Sequence, residues 1–284
     1  MYYSHSRPSI TWTVSAGTII TDPTRLTNGR PGSVTRFTWP AGAQTTSTTM
    51  ALEGVFDKAC SPGLVGLRNV SLPVGTLVKI QADFGAGYVN IAAPNQSRVF
   101  ARPNGEKVLW IVLPTGLASA SALQFVIYND VNGAVSIVAS SEFTIGEAWV
   151  GPGLDLGIQN NWSFAPDDST KTTWSRDQQP STRKGTTRRV LTWTPAMVKE
   201  LAMFGDPANP SAIDMELLIG KMALDTPVVC VPRTLDAAGA YSDYLVNRTA
   251  VFGIATKKSL PKHAAGPWYQ GNDITLSEAG TTGL

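Results

Sequence analysis

A chain of 284 residues has room for two domains of ordinary size. Only 15% of its residues are charged, and the net charge of +2 divides into 10 Lys/Arg against 8 Asp/Glu up to residue 150 and 13 against 13 beyond it. Neither half therefore has the basic balance of a general nucleic-acid or membrane-surface binder, and no run of about 18 apolar residues suggests membrane insertion.

Low charge together with 26 Gly and 19 Pro suits an all-β protein rich in turns, or one with much of its surface covered by partners. The two cysteines, Cys60 and Cys230, read as free thiols of a reducing cytoplasm rather than as a bridge between domains. The first residues lack the apolar core of a signal peptide.

Residues 1–9 read as an N-terminal arm without periodicity, in which Tyr2 and Tyr3 are candidates for docking on a neighbouring subunit. Ile10-Thr11-Trp12-Thr13-Val14 alternates as a strand does. Asn28-Gly29 marks a turn, because both residues accept positive φ. Strands are expected at 33–39, at 65–72 paired with 76–82, and at 108–113, where a continuous apolar run implies burial on both faces. Further strands are expected at 123–128 and, across the Asn132-Gly133 turn, at 135–139, ending at Phe143 and Ile145.

Phe143–Gly151 reads as the hinge between two halves, since Gly151-Pro152-Gly153 interrupts regular structure. Residues 148–185 are expected to form a linker and a long loop. Its Trp162, Phe164 and Trp174 are too many aromatics for a solvated segment, and imply packing over its own domain or a neighbour. Arg188 and Arg189 close the only basic cluster, read as a solvated strand entry or a subunit contact.

In 186–284, Thr194-Pro195 followed by Met197, Leu201 and Phe204 predicts a capped amphipathic helix at about 195–204. A second helical stretch is expected from Ser211 to Met222. Strands are expected at 227–232, 244–254 and 274–278. The expected fold class is therefore mainly β, with two β-sandwich or jelly-roll-like domains, the first over 10–147 and the second carrying one or two short α-helices.

Two resemblances attach to these residues. The order Leu26-Thr27-Asn28-Gly29-Arg30-Pro31, Arg36-Phe37-Thr38-Trp39, Leu67-Arg68-Asn69-Val70 and a long apolar strand resembles the discoidin-like (galactose-binding-like) jelly rolls, over about residues 10–147. Residues 146–278 run in the order of a strand, a capped helix, Pro227-Val228-Val229-Cys230-Val231-Pro232, Val251-Phe252-Gly253-Ile254 and a closing Trp268-Tyr269 with Ile274-Thr275-Leu276-Ser277-Glu278. That texture is similar to the tail-tip and baseplate proteins of long-tailed bacteriophages, the distal-tail protein among them. The second resemblance implies a virion subunit that forms or decorates a ring.

No catalytic constellation is legible. His5 and His263 stand in neither a triad nor a metal-ligand spacing, and Gly85-Ala86-Gly87 lacks a following helix. Asp155, Asp167, Asp168 and Asp177 match no EF-hand pattern. The second resemblance then implies a non-enzymatic structural protein of a phage tail tip or baseplate, without cofactor or metal, located in the virion and assembled in the host cytoplasm. Its expected partners are copies of itself and other virion proteins, with no specific nucleic acid. The alternative is a carbohydrate-binding module for host-surface adhesion, using aromatics such as Trp12, Trp39 or Trp110.

Overall fold

The computed structural model describes residues 1–4, 7–91, 96–114, 116–155, 161–168, 170–174, 177–183, 187–194, 198–199, 226–257, 262–271 and 273–280. The chain is mainly β and divides into two compact units. Unit 1 holds residues 1–157 and 229–250, and unit 2 holds 158–228 and 251–282.

Fifteen strands open unit 1: β1 (Tyr2–Ser4), β2 (Ile10–Ser15), β3 (Thr18–Ile19), β4 (Thr35–Thr38), β5 (Thr49–Cys60), β6 (Leu64–Arg68), β7 (Thr76–Asp83), β8 (Tyr88–Asn90), β9 (Gln96–Arg98), β10 (Phe100–Ala101), β11 (Lys107–Val112), β12 (Ala120–Val131), β13 (Glu142–Ile145), β14 (Glu147–Gly151) and β15 (Leu154–Asp155). They form a β-sandwich. One sheet runs β2-β5-β12-β7-β8, with β9 also on β7, and the other runs β10-β11-β6-β14. A smaller sheet, β13-β4-β3, stands beside them.

Period-two patterning places the core. In β7, Thr76, Val78, Ile80 and Ala82 are buried, while the residues between them are half-exposed. Leu123, Phe125 and Ile127 of β12 do the same between β5 and β7. They meet Val65, Leu67, Leu109, Ile111, Ala148 and Val150 of the facing sheet. Phe37 and Phe143 stack at 5.2 Å in the same core.

Several expectations are corrected here. The stretches 65–72 and 76–82 do not pair: β6 lies between β11 and β14, and β7 between β12 and β8. The expected hinge is no hinge, because β14 is an integral, fully buried strand on β6. Residues 135–139 form a loop held by the buried side chain of Asn129. Its Oδ1 accepts from the N–H groups of Ser136 and Ile137, and its Nδ2 donates to Ile137 O. The N-terminal arm is strand β1, buried within its own chain.

The expected linker and loop at 148–185 contain strands as well. In unit 2 these are β16 (Ser163–Asp168), β17 (Lys171–Trp174) and β18 (Pro180–Arg183), followed by β19 (Thr187–Trp193) and β20 (Val198–Lys199). Unit 1 then receives β21 (Val228–Val231), from Val229 onward, and a helix, α1 (Asp243–Thr249). There β21 and β15 flank β1. Unit 2 ends with β22 (Val251–Lys257), β23 (Lys262–Ala265), β24 (Trp268–Gln270) and β25 (Ile274–Glu278).

Within unit 2 the strands run β22-β25-β19-β16, with a β17–β18 hairpin and a small sheet β20-β24-β23. Gly253 makes the β22–β25 approach possible, since a Cβ there would lie 1.9 Å from Ser277 O. The helix expected at 195–204 is contradicted where the chain is described. Val198–Lys199 is extended and pairs with Trp268 and Tyr269, and the Thr194 hydroxyl donates to Asp273 instead of capping. The remainder of that helix and the stretch 211–222 lie outside the described residues.

Conversely, Asp243–Thr249 is a helix where a strand was expected. Ser242 is its N-cap, with Oγ accepting from Leu245 N–H at 3.3 Å, and Asp243 lies in the first turn.

Candidate functional site

Unit 1 carries a cleft of about 500 Å³, with polar and apolar groups both in its lining, bounded by the start of β7, strand β9, the residue after β12 and the first turn of α1. Three features of the sequence build it. Gly75 adopts φ +90° ahead of β7, and a Cβ there would strike the Asn132 side chain at 2.3 Å, so the two turns pack directly together. Asn132 itself takes φ +53° in the Asn132-Gly133 hairpin turn. The register of β9 on β7 sets Arg98 opposite Leu77 and Ser97 opposite Val78.

Arg98 is held by one edge. Its Nη1 donates to Gly75 O at 2.8 Å, to Asp130 Oδ1 at 3.0 Å and to Asp130 O at 3.4 Å. Its Nε and Nη2 have no partner among the described residues, so one donor-bearing side of the guanidinium stays available. The Gly133 N–H, and then Arg98, hold the Asp130 carboxyl below the ordinary carboxylate range. Asp130 is thus a fixed anionic brace for Arg98.

Across the cleft, Tyr244 is 59% exposed and its ring stands edge-on to Phe100, with centroids 5.6 Å apart and planes at 82°. Asp243 precedes it. Burial pushes the Asp243 carboxyl up from its ordinary value, and no described residue donates to that carboxylate. The Asn132 side-chain amide is likewise unpartnered among the described residues. Ser97 lies in the cleft wall, 3% exposed, with no partner for its hydroxyl among the described residues. The cleft therefore joins an aromatic ring to unpaired donors (Arg98) and acceptors (Asp243), with the Asn132 amide able to act as either.

The helix that supplies Tyr244 is fixed from beneath. Arg102, Glu106 and Arg68 form a buried chain of ion pairs. Arg102 Nε donates to Asn247 O at 3.1 Å and Nη2 to Ala250 O at 2.5 Å, satisfying carbonyls at the C-terminal end of α1.

The residues singled out from sequence are dispersed. Tyr2 and Tyr3 are buried in β1 of unit 1, so they are used inside the chain and are not available to a neighbour. In unit 2, Trp162, Phe164 and Arg189 meet: the two rings are edge-to-face at 5.4 Å, and Arg189 lies over Phe164 at 5.3 Å. Arg189 also binds Glu278 through two bonds of 2.8 and 2.9 Å, which makes it a structural residue. Arg188 is exposed and sits opposite Asp167. Trp174 is 68% exposed on the β17–β18 hairpin.

Trp12, Trp39 and Trp110, named for a sugar face, are all core residues at 4%, 1% and 0% exposure. The aromatic that does face a cleft, Tyr244, was read as strand. The overlooked signal was Ser242-Asp243, a helix start.

Among the described residues, no three His, Cys, Asp or Glu side chains are grouped to hold a metal ion, and no helix is long and apolar enough to cross a membrane. Cys60 and Cys230 are free, and burial pushes their thiols up to about 11 and about 12.

Fold and cleft together define a β-sandwich of the jelly-roll class with an aromatic-and-polar cleft on unit 1. No protein-family model and no curated protein matches the chain. Among solved structures it is similar to the family 32 carbohydrate-binding module of C. perfringens NanJ in complex with galactose, at 15% identity over 53% of this chain and 98% of that one, with a TM-score of 0.35. It is similar to the lectin binding domain of Lectinolysin complexed with Lewis b, at 14% identity over 51% and 92%, with a TM-score of 0.33. It is also similar to a chain of the structure of reduced XRCC1 bound to the DNA pol beta catalytic domain, at 13% identity over 53% and 99%, with a TM-score of 0.31.

Proposed function

We infer that the protein is a non-enzymatic carbohydrate-binding protein whose unit 1 cleft holds a neutral sugar bearing adjacent hydroxyl groups. The observation that carries this reading is the exposed Tyr244 ring, which lines one cleft together with Arg98 and Asp243. A pyranose presents an apolar face of C–H groups and a rim of hydroxyls, and needs an aromatic surface with paired donors and acceptors beside it. Asp243 accepts from two neighbouring hydroxyls, and the free edge of Arg98 donates to their oxygens. The opposite charges of these two side chains favour an uncharged ligand over an anionic one.

A glycan array with the full chain, followed by calorimetry with the best monosaccharide, tests this. Tyr244→Ala is expected to abolish measurable binding while the melting temperature stays within a few degrees. Unchanged affinity in that variant, or an array without a neutral-sugar hit, would reject the reading.

A second reading, a structural subunit of a phage tail, is supported by Trp174, which exposes most of its ring on a two-stranded hairpin of unit 2. Such a ring fits a protein–protein contact. Light scattering of the parent chain and of Trp174→Ala tests it: a larger assembly that the substitution dissociates supports the subunit, and a monomer in both argues against it. Binding a host sugar and assembling in a virion are compatible roles.

A further inference from the structure

We propose that the outer face of the β2-β5-β12-β7-β8 sheet is a second glycan surface, which takes an extended, uncharged polysaccharide lying across the strands. Its core is a row of five residues in register, Thr13, Glu53, Gln124, Gln81 and Asn90, one from each strand. The amides are linked. Gln124 Nε2 donates to Gln81 Oε1, and Gln81 Nε2 donates to Asn90 Oδ1 at 3.0 Å. Each amide so oriented keeps a second N–H and a second lone pair for a ligand. The groups recur at the strand spacing of about 4.8 Å, comparable to the length of one pyranose ring.

Beside this row lies Tyr88. It stands opposite Asp83 of β7, and that row continues through Ala122 to Val55 of β5. The Tyr88 hydroxyl nevertheless donates to Glu53 Oε1 of β5 at 2.5 Å. The phenol therefore spans two intervening strands. Small Ala122 lets it lie low at one crossing, and at the other Asp83 is drawn onto the N–H groups of Gly85 and Gly87. A pinned, half-exposed ring along an amide row offers stacking and hydrogen bonding on one open face.

Charge on this face selects the partner. Glu53 and Asp83 disfavour polyanions; of the cations on this face, Lys79 lies over the Tyr128 ring at 4.9 Å and Arg98 is paired with Asp130 at 3.0 Å. Apolar protein surfaces find few matching groups on a row of amides. A neutral polymer of hydroxyls matches both the donors and the acceptors.

Affinity electrophoresis of the full chain in gels containing galactan, arabinoxylan, β-glucan or, as the anionic control, polygalacturonate tests the proposal. Retardation by at least one neutral polymer is expected, and none by polygalacturonate. Gln81→Ala combined with Gln124→Ala is expected to weaken that retardation about tenfold, the loss of roughly two hydrogen bonds, with monosaccharide binding at the cleft unchanged. Asn90→Ala, on the edge strand, supplies the same test without touching a central strand and is expected to weaken retardation by a smaller factor. Tyr244→Ala is expected to lose monosaccharide binding and keep the polymer. Parent-like retardation of both amide variants overturns the proposal. So does a parent chain retarded by none of the neutral polymers, or by polygalacturonate alone. A polymer interaction abolished only by Tyr244→Ala overturns it as well, and leaves the cleft reading standing.

Discussion

Asn247 acts as a strand for Trp110. Strand β10 pairs only with Lys107 and Val108 of β11, which leaves the next backbone groups along that edge open. Asn247 Oδ1 accepts from Trp110 N–H at 2.6 Å, and its Nδ2 donates to Trp110 O at 3.3 Å. The Tyr241 hydroxyl continues the pattern by accepting from Val112 N–H at 3.3 Å. A sheet edge is thus closed by side chains from a segment about 130 residues away, as expected for an edge that must be covered. The same helix then offers Tyr244 to the cleft, so edge protection and site construction are one arrangement.

Asn247→Leu removes both bonds and strands two buried backbone groups. It is expected to cost about 1–3 kcal/mol per unsatisfied group, read by urea unfolding. An unchanged midpoint would show that Asn247 does not close this edge.

Glu106 lies between Arg68 and Arg102, and all three side chains are 2% exposed. Glu106→Ala removes the buried carboxylate that Arg68 and Arg102 share, and a loss of about 3–5 kcal/mol is expected. Because Arg102 anchors α1, sugar binding at Tyr244 should weaken in the same variant under conditions where it remains folded. Full-affinity binding by a destabilised Glu106→Ala chain would separate the helix from this network.

Glu147 gives a pH signature. It is fully buried in β14, and burial pushes its carboxyl up to about 7 against the opposing effects of Arg7, the Gly29 N–H and Arg68. Between its ordinary value near 4.5 and about 7 the folded state binds the extra proton, so stability falls as pH rises through that window. The loss is at most roughly 3 kcal/mol. Urea unfolding from pH 4.5 to pH 8 should show this slope, and Glu147→Gln should flatten it. A parent chain that grows more stable across this range would contradict the assignment.

The sandwich was legible in the sequence because its strands obey period two: Val78-Ile80-Ala82 and the apolar run at 108–113 place themselves. Pairing was not legible, since β6 and β7 are neighbours in the chain yet belong to opposite sheets, and nothing local to either specifies that. The helix at 243–249 was hidden by Val246 and Thr249, β-branched residues that favour strands, while the capping signal of Ser242-Asp243 was outweighed. The cleft was illegible for a related reason. Arg98, Asn132 and Asp243 are brought together by a hairpin turn and a helix far apart in sequence, and no spacing encodes that meeting. The tyrosines of β1 look like a docking arm because their partners, β15 and β21, lie more than 140 residues away.

The most direct test of the cleft is an amide chemical-shift map of the full chain titrated with the monosaccharide selected by the array, at pH 7 and again near pH 4. Saturable shifts are expected at the amides of Arg98, Asn132, Asp243 and Tyr244. Binding should weaken on acidification, because the Asp243 carboxyl, raised from its ordinary value by burial, takes up its proton as the pH falls. Shifts confined to other parts of the chain, or none at millimolar sugar, would contradict the cleft reading.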